Sequence, residues 1–166
     1  AHYVECDSTY GRLQGYLYGQ PGRPVITDLD EQNGRMRIDG VNVTFLRSQR
    51  NPVDIGWAEH GVKLVVDTTG RFLDPTLPSE HPPGAVRGHL AGGAEKVVVS
   101  APFTLKDKAR PMPADAVTTI MGVNGNDYNP RAHRIVSATS CTTTCLAHMM
   151  RPLINAYGAG RILSAS

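Results

Sequence analysis

The chemistry of this chain is concentrated in one run, SATSCTTTC, at residues 137–145. Ser140, Cys141 and Thr142 stand where an apolar segment, RIVSATS, passes into a helix-forming one, CTTTCLAHMM. A thiol at the start of a helix meets backbone N–H groups that lack a partner, and the positive end of the helix dipole. Both favour the thiolate, the nucleophilic form of cysteine. Such a sulfur can add to an aldehyde carbon. Neighbouring hydroxyls and N–H groups suit an oxyanion or a phosphate. The same run is compatible with a capped helix carrying an inert, buried cysteine. Cys145, one helical turn later, reads as a buried structural thiol, with a resolving or redox-sensing partner of Cys141 as the alternative.

The remaining thiols and imidazoles add no second centre. Cys6, Cys141 and Cys145 make an odd number, which argues against a disulfide framework. No further cysteine pair completes a zinc set, and no His-x-x-x-His or paired-carboxylate pattern is present, so no metal is expected. His148 is seven residues after Cys141, roughly 10 Å along a helix by rise, too far for direct proton transfer. His60, His81 and His89 fall in separate loops or turns and His133 at the start of a strand; none is assigned a role.

The elements that must hold Cys141 follow from pattern. VKLVVDTTG, with a strand over Val62 to Val66, and KVVVSAP read as buried parallel strands, because their apolar runs are nearly continuous. A third strand is expected over Thr118 to Val123 and a fourth in RIVSATS, followed by a helix ending near Gly158. RILSAS then begins a further strand. Strand, connection, strand, connection, strand, and a final strand-to-helix passage is an α/β order. In such folds ligands gather at the C-terminal ends of the strands. Residues 50–61 suit a short helical piece. GHLAGGAEK suits another short helix. The stretch Leu73 to Arg87 holds Pro75, Pro78, Pro82 and Pro83, which forbids a regular helix and predicts a surface loop. Upstream, Leu13 to Tyr18 alternates like a strand. Segments 23–30 and 36–47 around Asn33-Gly34 predict a hairpin.

Composition excludes several classes. A net charge of +2 with scattered Lys and Arg predicts neither nucleic acid nor an anionic membrane as partner. No apolar run approaches the roughly 20 residues of a bilayer span, and no secretory pattern opens the chain. A reducing, cytoplasmic setting is expected. Gly 17 and Pro 12 within 166 residues imply many turns.

Several segments in order resemble one family. SATSCTTTC is similar to the active-site signature of the phosphorylating glyceraldehyde-3-phosphate dehydrogenases, Ser-Asn-Ala-Ser-Cys-Thr-Thr-Asn-Cys. YVECDSTYGRLQG, GWAEHGVKLVVDTTGRF, HLAGGAEKVVVSAP and MGVNGNDYNP resemble further family segments in the family's order. The resemblance implies a Rossmann-like NAD(P)-binding α/β domain over residues 1–141, its small antiparallel strands an appendage. Residues 142–166 would be the active-site helix and the start of a substrate domain. It implies Cys141 as the catalytic thiolate, with Ser140 and Thr142 at the substrate and phosphate. Arg50, Thr69, Gly70, Phe72 and Ser100 fall on positions lining the cofactor. NAD or NADP, a phosphorylated aldehyde and inorganic phosphate are the implied ligands, and a homotetramer the implied assembly.

The chain departs from the family in places. The glycine-rich loop with its first βαβ portion has no counterpart, and the family's catalytic histidine would fall just past Ser166. The expectation is therefore a partial chain, inactive by itself, whose intact parent is the dehydrogenase. Thr144 and Ala138 replace asparagines of the signature, and the proline-rich stretch is longer than its counterpart. These departures leave room for another aldehyde, such as erythrose 4-phosphate. A non-catalytic cofactor-domain fragment or interaction protein is the alternative. The choice between NAD and NADP is not legible.

Overall fold

The computed structural model describes residues 2–19, 22 and 24–162, and the chain divides into two compact units, Ala1–Ser48 and Gln49–Ser166. The first unit contains α1 (His2–Glu5), a minimal antiparallel pair β1 (Cys6–Asp7) and β2 (Gly11–Arg12), and α2 (Leu13–Tyr18). The segment expected to be a strand is thus a one-and-a-half-turn helix. Over six residues, alternation of Leu and Tyr does not distinguish the two forms. Gly19 decides it: at φ 75° its N–H closes the helix on the Gly15 carbonyl at 2.8 Å.

The expected hairpin follows, extended to three antiparallel strands: β3 (Ile26–Asp30), β4 (Arg35–Ile38) and β5 (Val41–Thr44). The Asp30 carboxylate accepts from Asn33 N and Nδ2 and holds the first turn. The second turn is Asp39-Gly40, with φ of 47° and 80°. That pair of positive angles matches the twist of a two-residue hairpin. Val25 and Met36 are the buried apolar side chains of this unit among the described residues.

The second unit is a Rossmann-like α/β layer. Its strands are β6 (Leu64–Asp67), β7 (Lys96–Val99), β8 (Ala116–Thr118) and β9 (Ile135–Ser137), ordered β6-β7-β9-β8 with every pairing parallel. Between β6 and β7 runs α3 (Val86–Ala91), and after β9 comes α4 (Cys141–Tyr157). Val97 and Ile135, from the two central strands, are fully buried with Val86 of α3. β6 was expected to be buried on both faces. It buries Val65 and Asp67, whereas Leu64 and Val66 are more than half exposed.

Three other expectations change. The third strand lies earlier than Thr118 to Val123: its register on β9 pairs Ala116 with Ile135 and Thr118 with Ser137. Beyond Thr118 the Asn124 side chain takes over, accepting from Ile120 N at 2.7 Å and donating to the Thr118 carbonyl at 3.0 Å. That bends the chain into a turn. The proline-rich stretch lacks helix until Val86, as expected, but it is no mere surface loop. Asp74, Pro75 and Ala85 are buried. The Asp74 carboxylate accepts from Thr76 N, Thr76 Oγ1 and Lys106 N, which pins the loop to the segment after β7. Finally, α4 ends at Gly158 as expected and runs through Pro152 as one helix. A 3-10 turn, Ala159–Arg161, follows it, and the rest of the expected last strand lies outside the described residues.

Candidate active site

Three residues just before Cys141 make the sharp corner that presents it. Ser137, the last residue of β9, is fully buried and donates its hydroxyl to the Ala101 carbonyl at 2.7 Å. Thr139 follows at φ 59°, a left-handed conformation that β-branched residues rarely adopt. Its N–H is held by Ser137 Oγ at 3.1 Å. Ser140 returns to extended backbone and caps α4, its Oγ accepting from Thr143 N at 3.1 Å. Cys141 is therefore the first residue of a 17-residue helix, free and exposed, unlike the buried thiol of the inert alternative.

The surroundings of Cys141 suit an anion. Ser140 Oγ satisfies one of the orphan first-turn donors, Thr143 N, and the Ser140 carbonyl accepts the first regular helical bond from Thr144 N. Cys141 N and Thr142 N have no acceptor among the described residues, so they remain for a ligand oxygen. Ser140 Oγ also lies 3.1 Å from Thr142 Oγ1 and 2.8 Å from Thr143 Oγ1. Cys145 is exposed, with Sγ 3.9 Å from Met149 Sδ, rather than buried as expected. His148 spends Nδ1 on the Thr144 carbonyl.

Three of the expected cofactor residues stand at the same C-terminal edge of the parallel sheet. Thr69 and Gly70 follow β6, and Ser100 follows β7, its N–H bonded to the Asp67 carbonyl at 2.9 Å. The passage from β9 to α4 is tied to β7 by Ala138 N to the Val99 carbonyl at 2.9 Å. Arg50 and Phe72 line one cavity of about 500 Å³. Gly84 forms part of its wall at φ 137°; a Cβ there would meet Phe72 at 2.8 Å and Pro52 at 2.9 Å. The residues expected in the site thus fall in two groups, the corner at Cys141 with the neighbouring strand ends and the cavity at Phe72.

Sequence reasoning missed the buried group that stiffens this edge. Asp67 ends β6, and its Oδ1 accepts from both N and Oγ1 of Thr69, at 2.8 and 2.6 Å. Its Oδ2 lies 3.4 Å from Nε2 of His89, on α3 and 5% exposed. Trp57 Nε1 donates to His89 Nδ1 at 3.2 Å, which leaves Nε2 to carry the proton toward Asp67. Burial pushes the Asp67 carboxyl up, but the bonds from His89 and Thr69 prevail and hold it below its ordinary value. The signal in the sequence was a carboxylate ending an apolar strand. Among the described residues no group of three or more His, Cys, Asp or Glu could hold a metal ion, and no helix is long and apolar enough to cross a membrane.

No family model matches the chain. Curated proteins do. It is 33% identical to the glyceraldehyde-3-phosphate dehydrogenase of Streptomyces coelicolor over 158 residues, 95% of this chain and 38% of that protein. The Geobacillus stearothermophilus protein of the same name is 31% identical over 97% of the chain and 39% of its own length. The glycosomal enzyme of Crithidia fasciculata is 38% identical over 92% of the chain and 37% of its own length. Over nearly all of its residues, the chain is therefore a homologue of the glyceraldehyde-3-phosphate dehydrogenases, spanning about 38% of their length.

Proposed function

We propose that the protein acts as a phosphorylating aldehyde dehydrogenase of the glyceraldehyde-3-phosphate dehydrogenase type. The observation that carries this reading is Cys141, exposed at the first position of α4 with two unpaired backbone donors beside it. The Cys141 thiolate adds to the aldehyde carbon, and the new alkoxide oxygen rests on the free N–H groups of Cys141 and Thr142. NAD or NADP, when bound, supplies the acceptor for the hydride that leaves this carbon. The product on sulfur is a thioester. Inorganic phosphate attacks it, the C–S bond breaks, and an acyl phosphate leaves with the thiolate restored. The Ser140 and Thr142 hydroxyls orient the substrate and the phosphate. The proton that the Cys141 thiol gives up to become the thiolate is not assigned to a described residue, and His148, the histidine of α4, has Nδ1 engaged with the Thr144 carbonyl.

The residues present fit a dinucleotide in kind. Thr69, Gly70 and Ser100 stand at the strand ends, and Phe72 offers an aromatic wall beside Arg50. Residues 1–141 would serve the cofactor and 142–166 open the substrate part. The setting is the cytoplasm, and the assembly a homotetramer.

The test is NAD or NADP reduction by the full-length protein with glyceraldehyde 3-phosphate, and with erythrose 4-phosphate, in the presence and absence of inorganic phosphate. Cys141→Ser is expected to abolish phosphate-dependent turnover, while Cys145→Ser retains most of it. Undiminished turnover in Cys141→Ser removes the nucleophile assignment. No turnover of any phosphorylated aldehyde by the wild type favours a non-catalytic binding role.

A further inference from the structure

One buried imidazole, which no step of the proposed reaction uses, touches both groups of residues expected at the cofactor. On one side His89 Nε2 lies 3.4 Å from Asp67 Oδ2. Asp67 Oδ1 in turn accepts from Thr69 N and Thr69 Oγ1. Thr69 Oγ1 accepts from Arg71 N at 3.2 Å, which closes the turn around Gly70 at φ 67°. On the other side the His89 ring meets Phe72 edge to face, with centroids 6.1 Å apart and planes at 82°. The strand-end turn at Thr69 and the cavity wall at Phe72 therefore share one support.

The direction of every bond in this relay is set at its far end by Trp57. An indole N–H can only donate. Trp57 Nε1 meets His89 Nδ1 at 3.2 Å, so Nδ1 accepts and the ring proton stands on Nε2, facing the carboxylate. The other neutral tautomer would set Nδ1–H against the indole N–H and a bare Nε2 lone pair against Asp67. Both mismatches would lie in a buried place, where an unmade bond costs most. Trp57 is itself fixed. Its carbonyl accepts from Val62 N at 2.9 Å and His60 N at 3.2 Å. The chain at Gly92, just after α3, approaches so closely that a Cβ there would stand 3.1 Å from Trp57 Cδ1.

We propose that Trp57 and His89 are positioning residues for the dinucleotide. Trp57 fixes the tautomer of His89. His89 acts through Asp67 on the turn from Thr69 to Arg71, and through its ring on Phe72. The binding edge is thereby formed before the ligand arrives, so that less of the binding free energy is lost in ordering it. The proposal rests on the dehydrogenase reading and adds two residues to its machinery, neither of which needs to touch the reacting atoms.

The test is calorimetric titration of the full-length protein and its variants with NAD and with NADP, beside urea unfolding and steady-state kinetics. His89→Leu removes both ring nitrogens. It is expected to weaken dinucleotide binding about tenfold or more, the worth of a hydrogen bond to a charged group. KM for the dinucleotide should rise in step, while kcat at saturation changes much less. His89→Gln keeps an N–H for Asp67 and should recover most of the affinity. Trp57→Phe keeps a ring but no N–H, and leaves His89 in place. It should weaken binding about threefold or more, and nitrogen-15 spectra of His89 should lose the single Nε2–H form seen in wild type. This variant carries the test if His89→Leu fails to fold. Val97→Ala, in the buried centre of the parallel sheet, is the control: it should lower the urea midpoint and leave the affinity unchanged. Wild-type affinity in both His89→Leu and Trp57→Phe overturns the proposal, as does a wild-type proton on Nδ1. So does a Val97→Ala loss of affinity as large as that of His89→Leu, which would reduce His89 to a core residue. All three leave the dehydrogenase reading standing. A wild type that binds neither NAD nor NADP overturns this inference and the cofactor half of that reading together.

Discussion

Thr139 and Asp67 show how the site is held. Thr139 turns the chain from β9 into α4 at φ 59°, a conformation that costs a side-chain-bearing residue about 1–2 kcal/mol. Replacing a buried threonine by glycine normally loses side-chain burial and adds unfolded-state freedom, the latter about 0.5–1 kcal/mol. At this corner, relief of strain opposes both losses. Thr139→Gly is therefore expected to leave stability within about 1 kcal/mol of wild type, by urea unfolding, while phosphate-dependent turnover falls because the corner presenting Cys141 loosens. A loss of several kcal/mol would show that the left-handed turn is not strained. Asp67 gives a pH dependence. Its folded carboxyl is held below the ordinary value, so its contribution is present above the unfolded value, about 3.9, and is lost as pH falls through the folded one. Asp67→Asn should destabilise at pH 7. One face of an asparagine amide must oppose either Thr69 N–H or His89 Nε2–H, donor against donor. The gap between wild type and variant in urea midpoint should narrow on going from pH 7 into acid below the folded value. A constant gap would mean that the carboxylate charge contributes nothing.

At the scale of elements, the proline-rich connection is fastened at its far end by Arg87, which forms a two-pronged pair with Asp115 just before β8, at 2.9 and 2.6 Å. Its guanidinium also donates Nε to the Pro75 carbonyl at 2.6 Å. The Arg87 bonds hold the Asp115 carboxyl below its usual value against modest burial, and both side chains are about one-quarter exposed. Arg87→Met should cost about 1–3 kcal/mol, and a double-mutant cycle with Asp115→Asn should show non-additive losses. Additive losses would reduce the pair to two independent surface charges. None of this fastening was legible in the sequence. Four prolines announce a loop but say nothing of its partners, and Arg87 and Asp115 meet across 28 positions. The strands β6, β7 and β9 were legible because apolar runs ending in small polar residues are a local signal. β8 was displaced because its end is set by pairing with β9 and by the Asn124 side chain, both non-local to its own residues. Cys141 at a strand-to-helix junction was legible for the same reason as the strands. The left-handed Thr139 that makes the junction sharp was not, since threonine gives no sign of positive φ. The Asp67–His89–Trp57 chain was hidden because its members come from three separate segments.

The whole chain consists of two units with unequal cores. In the second, Val86, Val97, Val99 and Ile135 are at most 1% exposed and come from α3 and two central strands. In the first, Val25 and Met36 are the buried apolar side chains among the described residues. At about 25 cal/mol per Å² of apolar surface removed from water, two such side chains offset little of the backbone entropy of about 1–2 kcal/mol per ordered residue. A single unfolding transition across both units is therefore not expected, and stability should vary along the chain. Native-state hydrogen exchange reads this residue by residue. Amides of β3, β4 and β5 should exchange through openings of much lower free energy than those of β7 and β9. Ile135→Ala should weaken protection across the parallel sheet by about 2–5 kcal/mol while leaving the exchange of β3 to β5 unchanged. Equal protection in the two sheets, or loss in β3 to β5 with Ile135→Ala, would show that the units fold as one cooperative body. Under the expected outcome, the parallel sheet alone holds the corner at Cys141 and the strand ends at Thr69 and Ser100. Mutations in the antiparallel unit should then change its own exchange without altering the reactivity of Cys141 toward an alkylating probe.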